Sequence, residues 1–108
     1  MDNKNNLFSS WLRASGHQQW LASEGNRLVD FAKASRLPQG FGNLDERGVL
    51  PENARAETMN TARMTHSFAM AHVRGIPGCA ALADHGIAAL AGPLRDGLHG
   101  GWFSAPLA

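Results

Sequence analysis

Arg63 and His66 stand three residues apart in the stretch Thr61-Ala62-Arg63-Met64-Thr65-His66, a spacing that puts them on one side of a helix. Arginine offers a planar, permanently charged fork of donors that matches a carboxylate, a phosphate or paired sugar oxygens. Histidine donates to a hydroxyl or moves a proton near neutral pH. The surrounding residues read as a buried helix, and a buried guanidinium is costly unless something anionic or strongly polar meets it. Either the pair lines a cavity or the helix reading is wrong. The competing readings are a snorkelled Arg63, or one paired with Glu57 or Asp84, and a His66 satisfied within the core.

Other polar candidates have weaker claims. Asp84 and His85 are adjacent, so on a helix they point in different directions, and a structural role is expected for them. His99 precedes glycines and reads as a loop residue. Trp102 follows Gly100-Gly101, a pair suited to a turn that delivers an indole into a confined place. Its flat ring would cover the apolar face of a pyranose while charged side chains collect the hydroxyls; core packing is the alternative. Trp20 is expected in the core. Cys79, flanked by Gly78 and Ala80-Ala81, reads as a small buried packing residue, and one cysteine supports neither an internal disulfide nor a cysteine zinc site. The histidines lack zinc-ligand spacing, no serine sits in a nucleophile elbow, and the glycines form neither a dinucleotide nor a phosphate loop.

Three helices must position these groups. The first is expected over 17–35, with Trp20, Leu21, Leu28, Phe31 and Ala32 at helical spacing until Pro38 and Gly40 end it. The second is expected over 54–74. One face collects Met59, Ala62, His66, Met70 and Val73, with Arg63 beside it, and small residues on the other flank imply neighbours all round. Gly75-Ile76-Pro77-Gly78 stops the chain sharply, and a third helix follows over 78–91. Gly86 inside it costs about 1 kcal/mol relative to alanine, which points to close packing or a break. Residues 44–50 read as a tight turn between two short extended arms at a rim, and 103–107 as the start of a short strand. The fold class is all-α with short β-turn excursions.

The 108 residues fit one small domain, with 44% apolar and 18% charged side chains and a formal charge of +1. Without a basic stripe, nucleic acid is not an expected partner. Residues 1–6 do not resemble a secretory signal, and the apolar run at 87–91 is far short of a membrane span. A cytoplasmic protein without a membrane partner is expected.

Five segments, in order, carry a family likeness. They are Trp20-Leu21 with Glu24 and Arg27-Leu28-Val29-Asp30-Phe31; Gly40-Phe41-Gly42-Asn43-Leu44-Asp45; Thr61-Ala62-Arg63-Met64-Thr65-His66; Asp84-His85-Gly86-Ile87; and Leu94-Arg95-Asp96 through His99-Gly100-Gly101-Trp102-Phe103. Together they resemble the start of the N-acylglucosamine 2-epimerase superfamily, nearest its aldose–ketose isomerase branch of mannose isomerases and sulfoquinovose isomerase-like enzymes. One departure is Met59-Asn60, where many relatives have an aromatic-aliphatic pair.

The resemblance implies an (α/α)6 barrel around a sugar cavity, of which residues 1–108 would be one incomplete N-terminal portion. The first helix would be outer and the second inner, with Arg63 facing the cavity as an electrostatic aid rather than a proton carrier. Arg63, His66, His99 and Trp102 would bind a monosaccharide. The implied activity is mannose–fructose isomerisation by proton transfer between C1 and C2, without metal or other cofactor. The histidines that serve as base and acid in the family come from later helices, so this chain alone is expected to be inactive, and to self-associate or to need the rest of the barrel. The alternatives are an N-acylglucosamine or disaccharide 2-epimerase, and a non-catalytic helical interaction module.

Overall fold

Proline and glycine break the chain between its helices. The computed structural model describes residues 12–107. Helix α1 (Ser15–Ala32) runs into a single 3-10 turn, followed by strands β1 (Arg36–Leu37) and β2 (Gly40–Phe41), then α2 (Thr58–Val73) and α3 (Cys79–Ala91). The fold is all-α with a small hairpin. Among the described residues, no helix is long and apolar enough to cross a membrane.

Helix α2 ends where Gly75 takes a positive φ of 87°. Gly75 N–H then donates to His72 O at 2.8 Å and Ile76 N–H to Ala71 O at 3.0 Å. This pairing satisfies carbonyls left open at a helix end and folds Ile76 back against the core. The chain is thereby turned to lay α3 along α2.

The core lies between those two helices and the hairpin, built from Phe41, Phe68, Ala71, Cys79, Leu82 and Ala83. Cys79 is fully buried, as expected for a packing residue. Gly86 decides how close the helices come. A Cβ there would fall on Thr65 Oγ1, so the glycine marks close packing rather than a break. The Thr65 hydroxyl meanwhile donates to Thr61 O at 2.6 Å within α2.

Polar contacts tie the hairpin to this helix pair. Phe41 N–H donates to the buried Thr61 hydroxyl at 3.0 Å. His85 Nε2 lies 2.6 Å from Leu37 O and 3.1 Å from Gly40 O. Two carbonyls facing one nitrogen require that nitrogen to carry the proton, so His85 clamps the two-residue Pro38-Gln39 turn. Its ring also meets Phe41 edge-on at 5.4 Å. The structural role expected at Asp84-His85 is thus filled by His85.

The structure departs from the sequence reading in three places. Residues 36–41, read only as a helix stop, pair as a hairpin because Thr61 and His85 supply partners from distant helices. Residues 103–107 form no strand, and the turn expected within 44–50 is present, though its arms are not paired as strands. Instead the Asp45 carboxylate closes its turn by accepting from Arg47 N–H at 2.8 Å and Val49 N–H at 3.0 Å. Finally, α1 buries no residue: Trp20, Leu21, Leu28 and Phe31 are exposed, because only its Val29 and Ala32 edge reaches the core. Trp20 is therefore not a core residue.

Replacing Gly86 by alanine tests the helix spacing. Overpacking costs about 1–3 kcal/mol, offset by up to about 1 kcal/mol of helix propensity, so the net effect expected is destabilising. A lower denaturant midpoint for Gly86→Ala, with unchanged helical circular dichroism, is the expected result.

Candidate functional site

Helix α2 has two unlike sides. Thr61 and Phe68 point into the core, and Arg63 and His66 each lie two residues from one of them, about 200° round the helix. Met59, Ala62, Arg63, His66, Met70 and Val73 therefore share the opposite side, and all six are exposed. The expected face exists, but its burial does not. The Arg63 guanidinium stands in solvent, so desolvation demands no anion. Among the described residues, the side chains of Arg63 and His66 have no hydrogen bond or ion pair; the carboxylate pairs are Arg27–Glu24, Lys33–Asp30 and His99–Asp96. Neither Glu57 nor Asp84 holds Arg63.

The first turn of α2 is bound to the tail of the chain. Thr58 N–H donates to Ser104 O at 2.9 Å, and the Thr58 hydroxyl donates to Phe103 O. Arg55 donates to Pro106 O. Glu57 N–H donates to Phe41 O at 3.1 Å, which keeps the preceding segment extended and starts the helix at Thr58 rather than 54. Between helix and tail lies an open groove of about 680 Å³, lined by Glu57, Thr58, Met59, Ala62, Trp102 and Phe103 with residues 104 and 105.

Trp102 is half exposed and held from behind, not packed in the core. Its indole N–H donates to Leu90 O at 2.7 Å, and the Arg95 guanidinium sits 4.5 Å from the ring centroid, within cation–π range. Gly100 and Gly101, both with positive φ, close the loop that returns Trp102 beside Arg95. Inside that loop the Asp96 carboxylate accepts from Leu98 N–H at 3.0 Å and His99 N–H at 2.9 Å. The His99 amide is the main cause of a lowered Asp96 pKa; the Leu98 amide, the His99 side chain and the Arg95 charge add to it, against some desolvation.

The structure thus brings Trp102 to the first turn of the helix side that carries Arg63 and His66. It does not bring His99 there: the imidazole is exposed, 3.4 Å from Asp96 Oδ2, and does not line the groove. Two further groups went unremarked as site residues. Asn43 donates to both Glu57 carboxylate oxygens at 3.2 Å, and Asn60 donates to Asn43 Oδ1. Glu57 and Asn60 are one turn apart, but Asn43 lies in a separate loop, so spacing alone gave no signal. Among the described residues, no group of three or more His, Cys, Asp or Glu is placed to hold a metal ion.

The family model for N-acylglucosamine 2-epimerase (GlcNAc 2-epimerase) matches residues 40–106, from β2 through the groove and its loop. The chain belongs to this family. Among curated proteins, it is 70% identical over 107 residues to a D-mannose isomerase of Pseudomonas cannabina pv. alisalensis, covering 99% of this chain and 26% of that protein. It is 54% identical over 97 residues to a D-mannose isomerase of Thermobifida fusca, covering 88% of this chain and 24% of that protein. The chain therefore spans about a quarter of the length of these relatives.

The Asp96 carboxylate binds a proton less readily in the folded loop than in an open chain. Its contribution to the loop is thus present above the ordinary carboxylate pKa and lost as pH falls through the lowered one. The Leu98 and His99 amide signals and the Trp102 indole signal are expected to shift together in an acid titration followed by NMR. Asp96→Asn, which has no charge to lose, is expected to abolish that shared transition.

Proposed function

We propose that this chain is the first part of an aldose–ketose isomerase of the mannose–fructose type, acting on a free monosaccharide in the cytoplasm. One observation carries the reading: a groove walled by a rigidly held indole opens at the side of α2 where, among the described residues, an arginine and a histidine stand unpartnered. The names of the two relatives support the same chemistry.

An aldose and its ketose differ by the position of hydrogen on C1 and C2. Moving a proton between those carbons passes through an enediolate, whose charge develops on the sugar oxygens. Arg63 is suited to hold those oxygens and stabilise that charge, because its fork stays cationic throughout. Trp102 would take the apolar face of the pyranose, and His66 would donate to a hydroxyl. His99 would stay on the rim loop. We assign the general base and acid to histidines on further helices, outside these 108 residues.

In this reading α1 is an outer and α2 an inner helix of an (α/α)6 barrel. The bare α2 side would be covered by the remaining helices around the cavity, or by another copy. A run of exposed apolar side chains from Met59 to Val73 supports a missing neighbour. The family match also favours a second reading, a 2-epimerase on the same scaffold. Product analysis separates them: a ketose accumulates in one case and a C2 epimer in the other.

The test is a chimaera in which these 108 residues replace the matching quarter of the Pseudomonas relative. It is expected to interconvert mannose and fructose. Arg63→Ala is expected to lower kcat by about 10²–10³-fold, the scale for loss of a donor to a developing oxyanion. Unchanged turnover and sugar affinity would remove Arg63 from the site. The 108-residue chain by itself is expected to give no conversion, and robust mannose–fructose turnover by it would overturn the partial-barrel reading.

A further inference from the structure

Glu57 occupies the corner where the groove beside Trp102 meets the loop that follows β2. It lines that groove, and also a second depression of about 290 Å³ shared with Asn43 and Arg55. An aspartate just before a helix commonly turns inward to cap the first N–H groups, and a glutamate there is favoured by the helix dipole. Glu57 has the extended backbone usual at that position (φ −125°, ψ 137°), but its side chain makes no cap bond. The carboxylate is drawn outward to the Asn43 amide instead.

Its charge has no cation to answer it among the described residues. Arg55, two residues before it, is committed to Pro106 O, and the ion pairs among the described residues, Arg27–Glu24, Lys33–Asp30 and His99–Asp96, do not include Glu57. Among those residues, the sole hydrogen-bond donor to the carboxylate is Asn43 Nδ2, at 3.2 Å from each oxygen. A carboxylate offers about four acceptor positions, so one long, shared contact leaves most of them open. The orientation of Asn43 is itself set from behind, since Asn60 donates to its Oδ1 and so turns its NH₂ toward Glu57. Asn60 and Asn43 therefore hold an anionic acceptor at the groove.

We propose that Glu57 is a specificity-determining residue of this groove, accepting hydrogen bonds from hydroxyls of a sugar that lies against Trp102. The same charge selects neutral aldoses over anionic ones, because a phosphate or sulfonate brought beside an unpaired carboxylate is repelled. The inference rests on the sugar-binding reading above and adds the residue that sets its preference for an uncharged sugar.

The chimaera carrying the full 108-residue chain supplies the test. Glu57→Gln is expected to raise KM for mannose about tenfold, the scale of a hydrogen bond to a charged group, with kcat within about threefold. It is also expected to raise the relative use of mannose 6-phosphate. Among deoxymannoses, the analogue lacking the contacted hydroxyl is expected to be penalised by the parent chimaera and not by its Glu57→Gln form. A merely structural role would not give such a sugar-by-sugar pattern. An active parent chimaera whose Glu57→Gln and Glu57→Ala forms keep the same KM and the same preference for neutral sugar overturns this proposal and leaves the isomerase reading standing. A parent chimaera that neither binds nor converts any sugar overturns both. If the Glu57 variants do not fold, Asn60→Leu, which frees Asn43 from the side away from the groove, is expected to raise KM by a smaller factor at unchanged kcat, and no change there overturns the proposal.

Discussion

The approach of α2 to α3 at Gly86 and Thr65 is the constraint on which the remaining geometry hangs. With no side chain at Gly86, the helices meet closely enough for Phe41 to be enclosed by Phe68 and His85, with ring centroids 5.4 Å from each. Threonines on the contact line do not spoil it, because Thr65 returns its hydroxyl to the Thr61 carbonyl and Thr61 receives the Phe41 amide. Among the described residues, no buried side-chain nitrogen or oxygen lacks a partner. A small core is thus made specific by hydroxyls and one imidazole as much as by apolar volume.

That packing fixes the orientation of α2. Once Thr61, Phe68 and Ala71 are committed to α3 and the hairpin, the helical period leaves Met59, Arg63, His66, Met70 and Val73 nowhere to go but outward. The groove follows from the same commitment. The first turn of α2 is free to bind the returning tail, and the loop that Asp96 closes sets the indole against it. A helix with two occupied faces is what a layered barrel requires, and a quarter of such a barrel would show one face filled and the other bare.

Much of the helical architecture was legible in the sequence, because its boundaries are written in Pro38, Gly40 and the Gly75-Ile76-Pro77-Gly78 break. Which side of α2 packs was not legible. Both sides carry apolar and small residues, and the buried threonines read as polar until their internal hydrogen bonds are known. The hairpin depended on Thr61 and His85, which are far away in sequence. The apolar spacing of α1 implied burial, whereas in the described structure only its Val29 and Ala32 edge finds a neighbour. Gly100-Gly101 announced the turn before Trp102, though the indole it delivers is half exposed beside an open groove rather than confined. The Asn43–Glu57 contact spans two separate segments, so it emerged only with the fold.

The composition of the bare α2 stripe also bears on how selectively that side can pair. Met59 and Ala62 lie toward one end and Met70 and Val73 toward the other, and between them the guanidinium of Arg63 and the imidazole of His66 interrupt the run. An uninterrupted apolar stripe would zip readily against a second copy. A fixed positive charge within it means that such pairing must bury a guanidinium, at a cost in desolvation unless an anion meets it. A charged and an aromatic polar group set into an apolar stripe thus make it a poorer surface for indiscriminate apolar association than the same stripe without them.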